Sequence, residues 1–217
     1  MAKPTNKKNE GTKTTEIAKV TPGLGMSPED LKAATATSTI LFLGVVAKNA
    51  DMDKKPDGAE AGSIVLGNRD ILQGPVRAAV VRMRPKAMLW EDGKLQDETF
   101  DPSSEAWTKI KATRNGGKTG TEILVWLIDQ EQYAIVYYAN AARPYGAKAA
   151  AAYTAGQEIN VDAEFIDGKF SWWQLTCVPG DKIDPKTLPS EESQAKVVGI
   201  FESYKSEKPA EQGARER

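Results

Sequence analysis

The chain is expected to fold as a β-rich α+β domain: an antiparallel OB-like barrel with two or three peripheral helices and disordered termini. Three observations lead there. About seven apolar, β-branched stretches have strand length. They do not alternate regularly with helical segments, as a doubly wound parallel sheet requires. Short turn sequences join several of them as hairpins, and Asp167-Gly168 is the strongest of these signals. An antiparallel sheet of this kind, with few helices, closes most simply into a small barrel.

The elements follow in chain order. Residues 1–16 have almost no apolar content and carry Lys3, Lys7, Lys8 and Lys13, so they are expected to form a disordered, mildly basic arm without the apolar stretch of a secretory signal. Residues 17–205 form the single folded domain. Ser27-Pro28-Glu29-Asp30 reads as a helix start, with a capping serine, a proline at the first helical position and acids in the first turn. Ser38–Val46 is strand material, and Asn49–Gly62, rich in Asp, Lys, Pro and Gly, is a long exposed loop. Ser63–Leu66, Asp70–Leu72 and Val76–Met83 are further strands; Ala87–Trp90 continues the last of them to a turn at Glu91-Asp92-Gly93.

A helix is predicted over Ser104–Lys111, with Trp107 and Ile110 three residues apart on one face. The Gly-rich loop Asn115–Gly120 follows it. Thr121–Ile128 and Tyr133–Ala139 form a hairpin across Asp129–Gln132. Ala141–Ala155 is alanine-rich and helical up to Gly156. Gln157–Ile166 alternates Ile159, Val161, Ala163 and Phe165 with Glu158, Asn160, Asp162 and Glu164, and pairs through Asp167-Gly168 with Lys169–Val178. Ser190–Lys205 is a last helix with Ala195, Val198 and Phe201 on its buried side, and residues 206–217 form a second disordered segment.

Composition excludes much chemistry. Across 217 residues, 29 Lys and Arg stand against 30 Asp and Glu, so no global basic excess marks a nucleic-acid binder. There is no histidine, which removes Ser-His-Asp and Cys-His pairs and His-ligated zinc. The single cysteine, Cys177, forms no intramolecular disulfide and no Cys-cluster metal site, and suits a reducing cytosol. Apolar runs fall well short of the ~18 residues a membrane helix needs. A cytoplasmic protein without cofactor or membrane partner is therefore expected.

One motif imitates a phosphate-binding P-loop: Ala112-Thr113-Arg114-Asn115-Gly116-Gly117-Lys118-Thr119, followed by an apolar run ending at Asp129. That chemistry needs a strand before the loop and a helix after it, so that the helix N-terminus faces the phosphates. Here a helix precedes and a strand follows, and a nucleotide hydrolase is only a minor alternative. Ser193-Gln194-Ala195-Lys196 lacks companion motifs. Asp51-Met52-Asp53 is opposed by Lys54 and Lys55, and Asp162 with Glu164 reads as a solvated strand face.

What remains is charge segregated in blocks. Arg69, Arg77, Arg82, Arg84 and Lys86 lie between positions 69 and 90 against Asp70 alone, and Lys109, Lys111, Arg114 and Lys118 lie against Glu105. The stretch between them, with Glu91, Asp92, Asp97, Glu98 and Asp101, is acidic. Arg82, Arg84 and Lys86 share strand parity, so they belong to one sheet face: either a solvated surface paired with nearby acids or a groove for polyanions. Aromatic residues gather in the same strands, and Trp172-Trp173 and Tyr137-Tyr138 must each point one ring away from the other. Cations beside flat rings suit single-stranded nucleic acid, with phosphates on Arg and Lys and bases on the rings. The candidate contacts are Arg77, Arg82, Arg84 and Lys86 with Trp90 and Trp172 as stacking rings, and Lys109, Lys111, Arg114, Lys118, Arg143 and Lys148 beside them.

This layout resembles a known group. A Lys-rich leader, a short acidic helix, the "FLGV" strand, "GSIVLGNRDILQGPVRAAVVRMRPKAMLWEDG" and the late "DGKFSWWQLT" hairpin are similar to accessory proteins encoded in the replication regions of tailed bacteriophages, over Leu24 to Val178. The resemblance implies an OB-fold single-stranded-DNA-binding protein acting in phage replication or recombination in the host cytoplasm. It also implies no catalytic residues, and self-association and other replication proteins as further partners. Many such proteins end in an acidic, partner-recruiting tail, whereas this chain ends Gly213-Ala214-Arg215-Glu216-Arg217. The alternative from a different class is a virion structural or decoration protein.

Overall fold

The computed structural model describes residues 40–48, 55–67, 69–92, 94–168 and 171–203. The expected terminal arm and tail, the helix start at Ser27 and the Asp51-Met52-Asp53 segment lie outside these residues. In chain order the elements are β1 (Leu41–Val45), β2 (Ile64–Leu66), β3 (Asp70–Leu72), β4 (Val76–Glu91), β5 (Lys94–Thr99), α1 (Glu105–Ala112), β6 (Gly117–Leu127), β7 (Gln132–Ala139), α2 (Arg143–Ala155), β8 (Gln157–Ile166), β9 (Trp172–Lys182) and α3 (Glu191–Ser203).

The helices begin and end where local chemistry satisfies their free backbone groups. Ser104 caps α1, its Oγ accepting from Trp107 N at 3.1 Å. Pro144 sits in the first turn of α2, and Gly156, at φ +63°, ends that helix in the left-handed conformation and donates to Tyr153 O at 3.1 Å. The buried face of α2 carries Gly146, Ala149 and Ala152, small enough for the helix to lie close against β4, β6, β7, β8 and β9. Around it, Val80, Val125, Val136, Ile159 and Cys177 line the main core.

The strands form one nine-stranded mixed sheet, ordered β3-β2-β1-β7-β6-β4-β8-β9, with β5 on the free side of β4. Two sequence expectations are corrected here. The sheet does not close into a barrel: β3 and β9 end the order, and no pairing among the described residues joins them. Nor is it wholly antiparallel, because β1 runs parallel to β7 through Leu41↔Ala134 and Phe42↔Ile135.

β4 organises the molecule. It pairs along its length with β6, with β8 near its start and with β5 near its end. Between Val80 and Arg82 the β4–β6 register shifts by one residue. Val81 is the extra residue, and it packs with Leu124, Ile135 and Phe201 in a second cluster under α3, on the opposite face from the main core. The bulge has a consequence for charge. Arg77 precedes it beside the inward Val76 and Ala78, so the parity change places it on the same outer face as Arg82, Arg84 and Lys86.

Candidate nucleic-acid interface

Four of the sequence-predicted cations lie on that face of β4, and α3 and the end of β5 cover its middle. Lys86 is 1% exposed. Its Nζ lies 2.6 Å from Glu122 Oε1 and 3.2 Å from Glu98 Oε2. Arg84 donates to Glu122 Oε2 from Nε at 2.7 Å and Nη2 at 2.6 Å. Its guanidinium is held between the rings of Phe100 at 3.7 Å and Phe201 at 4.3 Å. The expected polyanion groove at Arg84 and Lys86 is therefore corrected: these side chains form a buried, carboxylate-neutralised network. Unpaired, such charges would be prohibitively costly to bury; paired with a fully buried Glu122, they are accommodated.

The two remaining β4 arginines are also paired, nearer to solvent. Arg77 holds Glu158 through Nε and Nη2 at 3.0 and 2.9 Å and reaches Asp129 at 3.3 Å. Glu158, by hydrogen bond and charge, tightens the hold of that guanidinium on its proton. Arg82 binds the Glu202 carboxylate at 2.7 Å. Arg143 donates to the backbone oxygen of Thr119 at 3.0 Å and also to its hydroxyl. Lys148 Nζ stands 4.9 Å from the centre of the Tyr145 ring.

A different set of cations stays open. Lys109 and Lys111 occupy the last turn of α1, Arg114 the loop after it, and Lys118 the start of β6; all are exposed, and none forms an ion pair among the described residues. Backbone geometry brings this loop to Trp90. The Trp90 N–H donates to Gly116 O at 3.0 Å, and Lys118 pairs with Met88 two residues away along β4. Trp90 is 38% exposed and shares the tip of the β4–β6 ladder with Lys118 and the Arg114 loop, whereas Lys109 and Lys111 stand on α1, which packs through Ile110 and Trp107 against Ala87 and Leu89 on the other face of β4. Glu91 and Asp92, also exposed, adjoin the ring.

Trp172 is 40% exposed but belongs to the separate β8–β9 hairpin, where its indole lies 3.3 Å from Gln174 Oε1. Of the adjacent pairs, Trp172 points outward, whereas the Trp173 ring fills the space a side chain on Gly62 would need. Tyr138 enters the core and Tyr137 turns to the outer face, its hydroxyl placed to donate to Lys86 O at 3.0 Å or Lys118 O at 3.3 Å. The Gly-rich loop runs from α1 into β6, so the helix-after-loop geometry of a phosphate-binding P-loop is not built there.

Sequence reasoning missed Glu122, Phe100 and Glu202, which decide how the β4 cations are used. A lone acid in the otherwise apolar run Ile123–Leu127 and its approach was the signal for Glu122: a carboxylate entering a core strand needs a cation opposite. The register supplies it, Arg84↔Glu122.

Two phenols near this site give a pH prediction. Burial, reinforced for Tyr137 by the Glu122 charge and for Tyr138 by Cys177, pushes both hydroxyls well above their ordinary value of 10.0. The native state therefore keeps protons that the unfolded chain releases. The stability these groups contribute is fully present below pH 10 and is lost as pH rises above it. Phenolate absorbance should show these two tyrosines ionising only as the protein unfolds; smooth native titration of every tyrosine near the ordinary value would contradict the burial.

Comparison of the chain with protein-family models, with curated proteins and with solved structures finds no match.

Proposed function

We propose that this chain binds single-stranded DNA without catalysing a reaction, in phage DNA replication or recombination. One observation carries the reading: Arg114 and Lys118 remain solvent-exposed on either side of Gly116, whose oxygen accepts from the N–H of the exposed Trp90, and Lys109 and Lys111 are exposed on the helix that leads into this loop. Exposed cations that form no ion pair among the described residues attract phosphates, and an exposed indole offers a surface on which any base can stack.

Connectivity supports the same reading. Strands β4, β6, β7, β8 and β9, with α2 between the third and fourth and with the long β4 shared by β6 and β8, follow the order of an OB-like unit. In that unit β1 is an addition paired with β2 and β7, and the β5–α1 segment becomes the loop between the first two strands, a position from which OB folds contact oligonucleotides.

The test is a tryptophan-fluorescence titration with oligo-dT at several salt concentrations. Four phosphate contacts predict a fall in log K against log salt with slope of about −3. Trp90→Ala should cost about 1–3 kcal/mol of binding and remove most of the quench. Absence of both quench and salt dependence in the wild-type chain overturns the proposal, and recovery of the chain from purified particles would then favour a virion component.

A further inference from the structure

We infer that α3 is a displaceable cover lying on a second strand-binding face of the sheet, an inference that rests on the single-stranded-DNA reading above. The face is built by register. Glu122↔Tyr137, Leu124↔Ile135 and Trp126↔Tyr133 are cross-strand pairs of β6 and β7, and β4 adds Arg82 and Arg84 beside them. Rings, apolar side chains and guanidinium groups thus share one surface, and α3 lies across it through Phe201, Val197 and Val198.

The end of α3 makes the kinds of contact a nucleotide would make. The Phe201 ring stacks on the Arg84 guanidinium at 4.3 Å, where a base can stack. The Glu202 carboxylate takes both Nε and Nη2 of Arg82 at 2.7 Å, as a phosphate does. The Glu202 backbone oxygen also accepts from Arg84 Nη1 at 3.3 Å. Withdrawing α3 leaves Arg82 without its carboxylate and uncovers the ring side of Arg84.

Phe201 anchors the cover, fully buried against Leu124 and Ile135, and two features act against that anchor. The Arg82–Glu202 pair is about half exposed on both sides, 53% and 50%, so water and salt compete with it. Gly199 sits inside the helix, and a side chain there would meet nothing within 4 Å. Packing does not require glycine at that position, yet glycine lowers helix stability relative to alanine. A helix built only as permanent architecture gains nothing from it.

The experiment uses the full chain and oligo-dT with two conservative variants that push α3 in opposite directions. Glu202→Gln loosens the cover and should tighten binding about two- to fivefold. Gly199→Ala firms the helix and should weaken binding by up to about fivefold. In the wild-type chain, α3 amide hydrogens should exchange faster once oligo-dT is added. Wild-type binding that neither variant shifts, with α3 exchange unchanged or slowed, overturns the cover and leaves the oligonucleotide reading standing. Failure of all three proteins to bind overturns both.

Discussion

Glu122→Ala is expected to destabilise the fold by about 3–5 kcal/mol, the cost of leaving buried charge without its partner. Glu122 is fully buried and is the shared acceptor for Arg84 and Lys86. Its loss removes both short bonds to Arg84 and leaves Lys86 with Glu98, at 3.2 Å, as the remaining carboxylate of the network. Urea unfolding should show a lower midpoint with an unchanged slope, and thermal unfolding a drop on the order of 10 °C. Lys86→Met should cost less, because Glu122 keeps Arg84. The two substitutions combined should cost less than their sum, the sign expected of coupled partners. A midpoint within error of wild type for Glu122→Ala would show that the network contributes no stability.

The second large effect concerns Gly116→Ala. Gly116 has φ +83°, and a Cβ there would lie 1.8 Å from the Trp90 backbone oxygen. Two costs therefore combine: left-handed backbone for an L side chain, about 1–2 kcal/mol, and a clash with main chain that cannot rotate away, about 1–3 kcal/mol. Relief would require moving Gly116 from Trp90 and breaking the 3.0 Å bond between them. Gly156→Ala is the control. It has φ +63° but open space around the added carbon, so it should incur the backbone cost alone. Chemical denaturation of both variants separates the two contributions; equal losses would remove the clash from the account. Because the same bond ties Trp90 to the loop that carries Arg114 and leads into Lys118, Gly116→Ala should also weaken oligo-dT binding at temperatures where the variant is still folded.

Much of the element order can be read from short-range pattern. β8 matches its expected range because alternation over Gln157–Ile166 is unbroken and a turn dipeptide follows. α1 falls within one residue of expectation because the Trp107–Ile110 spacing marks a helix face, and Ser104 caps its start. β5 was not foreseen. Lys94–Thr99 reads KLQDET, polar and without a strand-forming run, and its extended state comes from pairing with β4.

The candidate site divides along the same line. Parity alone placed Arg82, Arg84 and Lys86 on one face, and the structure agrees. Parity could not place Arg77 with them, since that depends on the one-residue shift at Val81. Nor could it say that the acidic block beside β4 would fold back and bring Glu98 to Lys86.

The sequence by itself determined the strand-rich α+β class, the ends of the helices and the exposed cations of the α1–β6 loop, because capping, turn chemistry and side-chain alternation act over a few residues. Only the tertiary structure decided which charges are available. Arg82 meets Glu202 across 120 residues, and Arg84 meets Glu122 across 38. The fate of a charged side chain is set by whether a low-dielectric cover and an opposite charge reach it together, and both arrive from distant parts of the chain.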